Sequence, residues 1–245
     1  MEIRLVALGM GLALALGWAR PAAAEDVARV LGVAIGRSEL QAAGDGAEAQ
    51  LSKLYERLWS GVSRHYIEQH RLQATPQEIT ELADYEREFE RKDRAQRERK
   101  RVELDRRLAA PDLAAEERTL LQEFRDTLVR LARSDAAGDQ EPPADAALES
   151  ARRAQWIELW KLNRALYEQY GGTVALTRFG PFPHGARLSL FEDYERRGLV
   201  EFLDARLRER LMALLAAPPA IPVAEGKVDF TPYWKRPIPP SYFPD

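Results

Sequence analysis

Apolar residues recur every three or four positions in five stretches of the chain, which is the spacing of an amphipathic helix. These stretches cover about residues 47–71, 76–108, 111–134, 146–170 and 186–216, the last of them interrupted at Gly198. The first is the most regular, with apolar positions Leu51, Leu54, Leu58, Val62 and Tyr66. The pattern predicts a mainly α fold, an irregular helical domain.

A capping signal marks the start of the second helix. Thr75 can accept a hydrogen bond from the backbone of Glu78, the Glu78 side chain can bond back, and Pro76 suits the first helical position. The apolar face of this helix ends at Phe89, because residues 91–101 are almost entirely charged. We therefore expect one long charged helix that is solvated or bridges two packed regions.

The charged stretch contains seven basic residues: Arg91, Lys92, Arg94, Arg97, Arg99, Lys100 and Arg101. Such a run can indicate a nucleic-acid patch or contact with anionic lipid headgroups. Asp93 and Glu98 lie within it, however, and further glutamates flank it. Opposite charges three or four residues apart stabilise an exposed helix, so we favour a solvated helix and expect no nucleic-acid partner.

Short β-branched stretches predict at most one or two strands, near residues 27–32 and at residues 174–177. Glycine and proline predict loops at residues 135–147 and 179–185. From residue 217 onward the chain holds eight prolines and five aromatic residues: Phe230, Tyr233, Trp234, Tyr242 and Phe243. This irregular Pro-rich tail either folds back over the body or stays extended for a partner.

The first 24 residues have the parts of a cleavable secretory signal. Arg4 supplies a positive charge, residues 5–18 are apolar, and small residues precede a cleavage point after Ala24. The apolar run is shorter than the about 20 residues that a spanning helix needs. We expect a periplasmic protein, with secretion as the alternative, no membrane span, a helical domain over residues 25–216 and a tail over residues 217–245.

Composition narrows the possible classes of protein. The chain has no cysteine, so packing rather than disulfides must stabilise the fold. The formal net charge is only −3, which predicts no strong attraction of the whole molecule to nucleic acid or to an anionic membrane.

Residues with catalytic or metal-binding chemistry are few. The three histidines are His65, His70 and His184, and five residues separate the first two, which places them about 140° apart on a helix, too divergent for one metal ion. No phosphate loop or nucleophile elbow occurs. We expect no enzyme, no metal and no cofactor, and the loop from Phe179 to His184 is the one place where an unrecognised catalytic site would lie.

Aromatic residues are the better candidates for a functional site. Trp156, Trp160 and Tyr167 form a stripe at helical spacing on one predicted helix, and Trp59 and Tyr66 lie on another. Such a stripe is either core packing or the lining of a groove that holds apolar polypeptide. We take these five residues as the candidate peptide-binding set.

Residues 26–90 resemble a known family. Val27, Ile35 and the Ser38-Glu39-Leu40 sequence match the opening strand and its continuation in the N-terminal chaperone region of SurA-like periplasmic peptidyl-prolyl isomerases. The leucine-rich helix that follows and the Thr75-Pro76-Gln77-Glu78-Ile79 helix start are also similar to that region, and the helix of Trp156 and Tyr170 is a weaker match.

The resemblance implies a peptide-binding domain of the SurA or trigger-factor type. The family usually carries a parvulin isomerase domain, and this chain shows charged helix and loop where that domain would lie. The family's catalytic residues therefore have no counterpart here.

We expect an exported, non-catalytic, chaperone-like protein that binds hydrophobic or unfolded polypeptides, with outer-membrane proteins as possible clients. The alternative is a structural adaptor of an envelope complex, which binds one specific partner through the charged helix or the tail.

Overall fold

A computed structural model describes residues 25–42, 46–138, 145–177, 180–219, 221–224 and 226–243. The predicted signal, residues 1–24, lies outside the described residues, as does Phe179. Of the loop predicted at residues 135–147, residues 139–144 also lie outside, whereas residues 135–138 and 146–147 are helical and correct that prediction. The elements in chain order are β1 Asp26–Val30, β2 Val33–Gly36, α1 Arg37–Gln41, α2 Ala47–Gln69, α3 Pro76–Leu108, α4 Ala115–Gly138, α5 Ala146–Tyr170, β3 Val174–Thr177, β4 Gly180–Pro183, α6 His184–Arg196, β5 Val200–Phe202 and α7 Ala205–Ala216. Two short 3₁₀ turns, Tyr233–Lys235 and Pro240–Tyr242, follow in the tail.

The mainly helical fold is confirmed, but the described residues form more strands than the one or two expected. β2 and β5 pair antiparallel on either side of β1, and β3 pairs antiparallel with β4. β5 has three residues and gains its backbone hydrogen bonds from β1, more than 150 residues earlier, so its own sequence carries no strand pattern. β4 contains two prolines, which locally indicate a loop.

The main core lies around α2. The predicted apolar stripe of this helix is buried against α5, α7 and β1, and its central residues Leu54, Leu58 and Val62 are fully buried. α6 packs on α5 and α7 and adds Leu190, Phe191 and others to the same cluster. The helical domain therefore closes around α2, with the small β2-β1-β5 sheet on its border.

The predicted capping box at the start of α3 is present. The Glu78 backbone N–H donates to Thr75 Oγ1 at 3.2 Å, and the Thr75 N–H donates to Glu78 Oε2 at 2.8 Å. Lys161 of α5 donates to the same Oε2 at 2.6 Å. Partial burial opposes the charged form, but the hydrogen bonds from Lys161 and Thr75 outweigh it and lower the pKa of Glu78. One carboxylate thus caps α3 and ties it to α5.

α3 continues as a helix through the charged stretch and pairs with α4. Leu104 of α3 and Leu128 of α4 are buried in this helical hairpin, and Arg97 binds Asp135 across it at 2.9 Å. Each basic residue of the stretch except Arg99 lies within 4 Å of a carboxylate. These pairings favour the solvated-helix interpretation, because few cations are left for a polyanion.

No helix among the described residues has both the length and the apolar character to cross a membrane.

Replacing Glu78 by Gln tests the link between α3 and α5. Glutamine retains the capping geometry but loses the ion pair with Lys161, so we expect a loss of about 1 kcal/mol in the free energy of unfolding at pH 7. Because the pKa of Glu78 is lowered in the folded state, this stabilisation is present above the ordinary glutamate pKa of about 4.3. It is lost as the pH falls through the lowered value.

Urea unfolding of both proteins between pH 7 and pH 2 measures this difference. Glu168→Gln is the matched control, because Glu168 pairs with one cation, Arg164, but both side chains are exposed, and we expect a change below about 0.5 kcal/mol. A Glu78→Gln protein whose deficit stays constant across the whole pH range would contradict the assignment.

Candidate functional site

The tail folds back over the body, which decides between the two alternatives that the sequence left open. Its first part joins the β3 edge, where the Val223 N–H donates to the Val174 carbonyl at 2.7 Å and Pro222 lies opposite Ala175. The tail then crosses α5 and reaches α3, where Trp234 and Ile238 are buried.

Aromatic rings of the tail contact rings of α3 and α5. Tyr233 lies 5.3 Å from Tyr85, centroid to centroid, and Trp234 lies 5.4 Å from Trp160. At the end of the described tail, Phe243 lies 5.3 Å from Phe89. Ring pairs at such distances stabilise beyond the area that they bury, so the tail is held along its length.

Trp160 is the point where these elements meet. Its ring is buried in a cluster with Leu82, Ile157 and Trp234, and its indole N–H donates to the Phe230 carbonyl at 2.8 Å. On the opposite side the ring edge lies directly against Gly180, the first residue of β4. A single side chain therefore contacts α3, the tail and the β3–β4 hairpin.

A cleft of about 780 Å³ opens beside Trp160. α3, α5, the β3–β4 hairpin and the tail each contribute to its wall. Its aromatic lining residues are Tyr85, Phe89, Trp156, Trp160, Tyr233 and Tyr242, and its aliphatic ones include Leu176, Pro181, Val223 and Val228. This volume lies within the range of about 300–1,000 Å³ that is typical of ligand sites.

Charged groups lie around the same cleft. Glu86 is paired with Arg153 at 2.7 Å, and Asp229 accepts from the Thr231 N–H at 2.8 Å and binds Arg236. Lys227 is exposed at the rim. Both signs of charge are present and most are paired within the protein, so the cleft offers an apolar floor with a polar border.

Two of the three tyrosines in the wall, Tyr85 and Tyr233, have a raised pKa and stay protonated at neutral pH. Burial raises the pKa of Tyr233, with Glu86 adding to the rise, and burial also raises the pKa of Tyr85. A neutral phenol can donate a hydrogen bond to a backbone carbonyl of a ligand. The described lining residues include no histidine, serine or cysteine.

The structure brings two of the five candidate residues together in this cleft. Trp156 and Trp160, one helical turn apart on α5, both line it. Tyr167, two turns further, packs on the Phe230 ring at 5.3 Å and so supports the tail from outside the cleft.

The other two candidates lie in the main core on a different face. Tyr66 is buried, its hydroxyl donates to Gln169 Oε1 at 2.6 Å, and burial raises its pKa to about 12. Trp59 is half-buried against Tyr55 and Phe191, with the Arg187 guanidinium 4.0 Å from its ring. Neither is a wall of the cleft, because α2 packs on the side of α5 that faces the core.

The part of the wall that comes from α3 and the hairpin was not predicted from the sequence. Tyr85 and Phe89 belong to the apolar face of α3, for which no binding role was predicted. Leu176 and Pro181 come from the β3–β4 hairpin, whose second strand was expected to be a loop. The sequence signal for this contact is the high density of aromatic residues in the tail. So many rings in one short segment need an apolar surface to pack against, and α3 and α5 provide it.

Each of the three histidines lies beside an aromatic side chain. His65 Nδ1 lies 2.9 Å from the Tyr194 hydroxyl, and the His70 ring stacks on Tyr66 at 4.0 Å. His184 begins α6 and lies 6.1 Å from the Phe182 ring, centroid to centroid. Within the described ranges, no group of three or more His, Cys, Asp or Glu side chains is placed to hold a metal ion.

Comparisons with protein families, with curated proteins and with solved structures found no match to this chain.

Replacing Gly180 by Ala tests the contact that shapes the cleft. A Cβ at this position would lie 2.5 Å from Trp160 Cζ3, and the backbone has φ +94°. We expect a loss of about 1–3 kcal/mol in the free energy of unfolding from overpacking, in addition to the backbone strain.

Gly198→Ala is the matched control, because Gly198 also has a positive φ of +66° but faces open space. It carries only the strain of about 1–2 kcal/mol. Chemical unfolding of both variants gives the comparison, and equal losses would contradict a tight contact between Gly180 and Trp160.

Proposed function

We propose that this is an exported, non-catalytic binding protein that holds apolar segments of unfolded polypeptides, such as outer-membrane proteins, in the cleft beside Trp160. The observation that carries the proposal is the aromatic wall: Tyr85, Trp156, Trp160 and Tyr233 line one open cleft from three separate parts of the chain. Side chains of this kind present a large apolar area that loses little conformational entropy on binding.

Burial of apolar area supplies the binding free energy. One aromatic side chain of a client buries about 150–250 Å², equal to about 4–6 kcal/mol at about 25 cal/mol per Å². Association and ordering of the client remove much of this gain, so one inserted side chain gives weak binding and several give moderate binding. Weak, apolar recognition with little hydrogen-bond specificity is what a protein with many clients needs.

The polar border supports a polypeptide as the ligand. A client in the cleft presents backbone N–H and C=O groups that must stay solvated or be paired. The Tyr85 and Tyr233 hydroxyls and the charges of Lys227 and Asp229 lie around the apolar floor. They can bond to backbone groups of any sequence.

The resemblance of residues 26–90 to the SurA-like chaperone region, together with the predicted signal, supports an exported protein of the periplasm. A protein that binds one specific envelope partner is the alternative. The tail, however, already packs on α3 and α5, and the cations of the charged helix are mostly paired with carboxylates. Neither element is therefore free to bind such a partner.

The experiment compares Trp156→Ala with Trp59→Ala. Both side chains are half-buried tryptophans on helices, but only Trp156 lines the cleft. The probe is a labelled peptide rich in leucine and phenylalanine, and a peptide with these residues replaced by serine is its control. We expect Trp156→Ala to weaken binding by at least about tenfold, or about 1.4 kcal/mol, while Trp59→Ala stays within about twofold of the parent protein.

Delay of aggregation of an unfolded outer-membrane protein gives the functional readout, and circular dichroism confirms that both variants fold. A photo-crosslinker at Tyr242, a cleft residue that is largely exposed, identifies what is bound in cells. Many unrelated unfolded proteins are the expected result. One repeated partner would support the adaptor instead, and equal peptide binding by both variants would remove the cleft as the site.

A further inference from the structure

α4 carries an apolar stripe beside the face that packs on α3, its only extensive neighbour in the described part of the chain. The helix packs against α3 through the side that holds Leu128. Leu120, Phe124 and Leu131 lie on an adjoining side and are 66%, 45% and 43% exposed. Thr127 lies between them on the same side. Large apolar side chains in such a row indicate an interaction surface.

The spacing of this stripe is the same in both directions. Leu120, Phe124, Thr127 and Leu131 are separated by four, three and four residues, which is the spacing that packs one helix along another. Two copies of α4 in antiparallel orientation therefore place Leu120 opposite the second copy's Leu131, and Phe124 opposite its Thr127. The stripe is complementary to itself in this orientation, as a two-fold symmetric interface requires.

The charges beside the stripe are also self-complementary. Glu123 and Arg130 border it on the side away from α3, and within the described residues neither has an ion-pair partner. The Arg130 guanidinium donates to Thr127 Oγ1 at 2.9 Å, which keeps the cation at the edge of the stripe. Antiparallel pairing brings Glu123 of each copy beside Arg130 of the other, so two ion pairs related by the two-fold axis form.

We propose that a second copy of this chain covers the α4 stripe and forms an antiparallel two-fold dimer. The palindromic spacing and the Glu123–Arg130 complementarity select a second copy, because an unrelated apolar partner or a lipid surface requires neither. The interface lies on α4 and leaves the cleft beside Trp160 open, so the inference is independent of the proposed function.

The dimer is expected to be weak. A stable interface buries about 1,600 Å² in total, and one pair of helices in contact over three to four turns buries less. Monomer and dimer are therefore expected to be in equilibrium, so that the mass measured in solution rises with concentration.

Analytical ultracentrifugation of the purified chain over a range of concentrations measures this equilibrium. Leu120→Glu is expected to raise the dimer dissociation constant by at least about tenfold. Leu148→Glu is the matched control, because Leu148 is also a leucine on a helix and is also 66% exposed, and it is expected to leave the constant unchanged. Both positions are exposed, so neither substitution removes a core contact.

Charge reversal tests the predicted ion pairs directly. Glu123→Arg alone and Arg130→Glu alone each place like charges together twice and are expected to abolish the dimer at the concentrations used. The double variant restores opposite charges and is expected to restore the dimer. A mixture of the two single variants is expected to form a mixed dimer. One copy then supplies both arginines and the other supplies both glutamates, so that both contacts are ion pairs.

Single cysteines test the orientation, since the chain has none of its own. Leu120→Cys and Leu131→Cys are expected to form a disulfide with each other when mixed, and little with themselves. Self-crosslinking of Leu120→Cys at an equal rate would show a parallel arrangement and overturn the proposal. So would a chain that stays monomeric at all concentrations, a dimer that survives Leu120→Glu, or a stripe that binds lipid vesicles while the protein stays monomeric.

Discussion

The packing of the Trp160 indole is the interaction on which the arrangement of the candidate site depends. Its ring is buried between α3 and the tail, its N–H holds the Phe230 carbonyl, and its edge lies against Gly180. Together these contacts position the walls that come from α3, the tail and the β3–β4 hairpin. The tail has almost no regular structure to hold it in place, so its position follows from this ring, from the neighbouring rings, and from prolines that reduce the entropy lost on ordering.

The main helices could be predicted from the sequence because their signals are local. The apolar stripe of α2 lies within the helix that it predicts, and the capping box at Thr75 lies at the start of α3. The strands β2, β4 and β5 could not, since each has only three or four residues. In addition, β4 contains two prolines, and β5 pairs with β1, more than 150 residues earlier in the chain. α1 was missed for a related reason: five residues are too few for a helical period.

The candidate site was predictable only in part. Helical spacing shows that Trp156 and Trp160 share a face, and that relation holds in the structure. Spacing does not show which neighbour covers a face, so Tyr66 and Trp59, which have the same apparent character, belong to the core on the other side. Tyr85 and Tyr233 line the cleft because two segments about 150 residues apart in the chain contact each other. No local sequence pattern indicates such a contact.

Hydrogen–deuterium exchange of the whole chain, with and without a saturating leucine- and phenylalanine-rich peptide, tests most directly whether the cleft beside Trp160 is the binding site. The amides of residues 226–236 lie in irregular chain at its wall and exchange readily unless they are covered. The account predicts that the peptide slows exchange there and leaves residues 55–66, around Trp59 and Tyr66, unchanged. Protection confined to residues 55–66, or none in residues 226–236 at saturation, would contradict it.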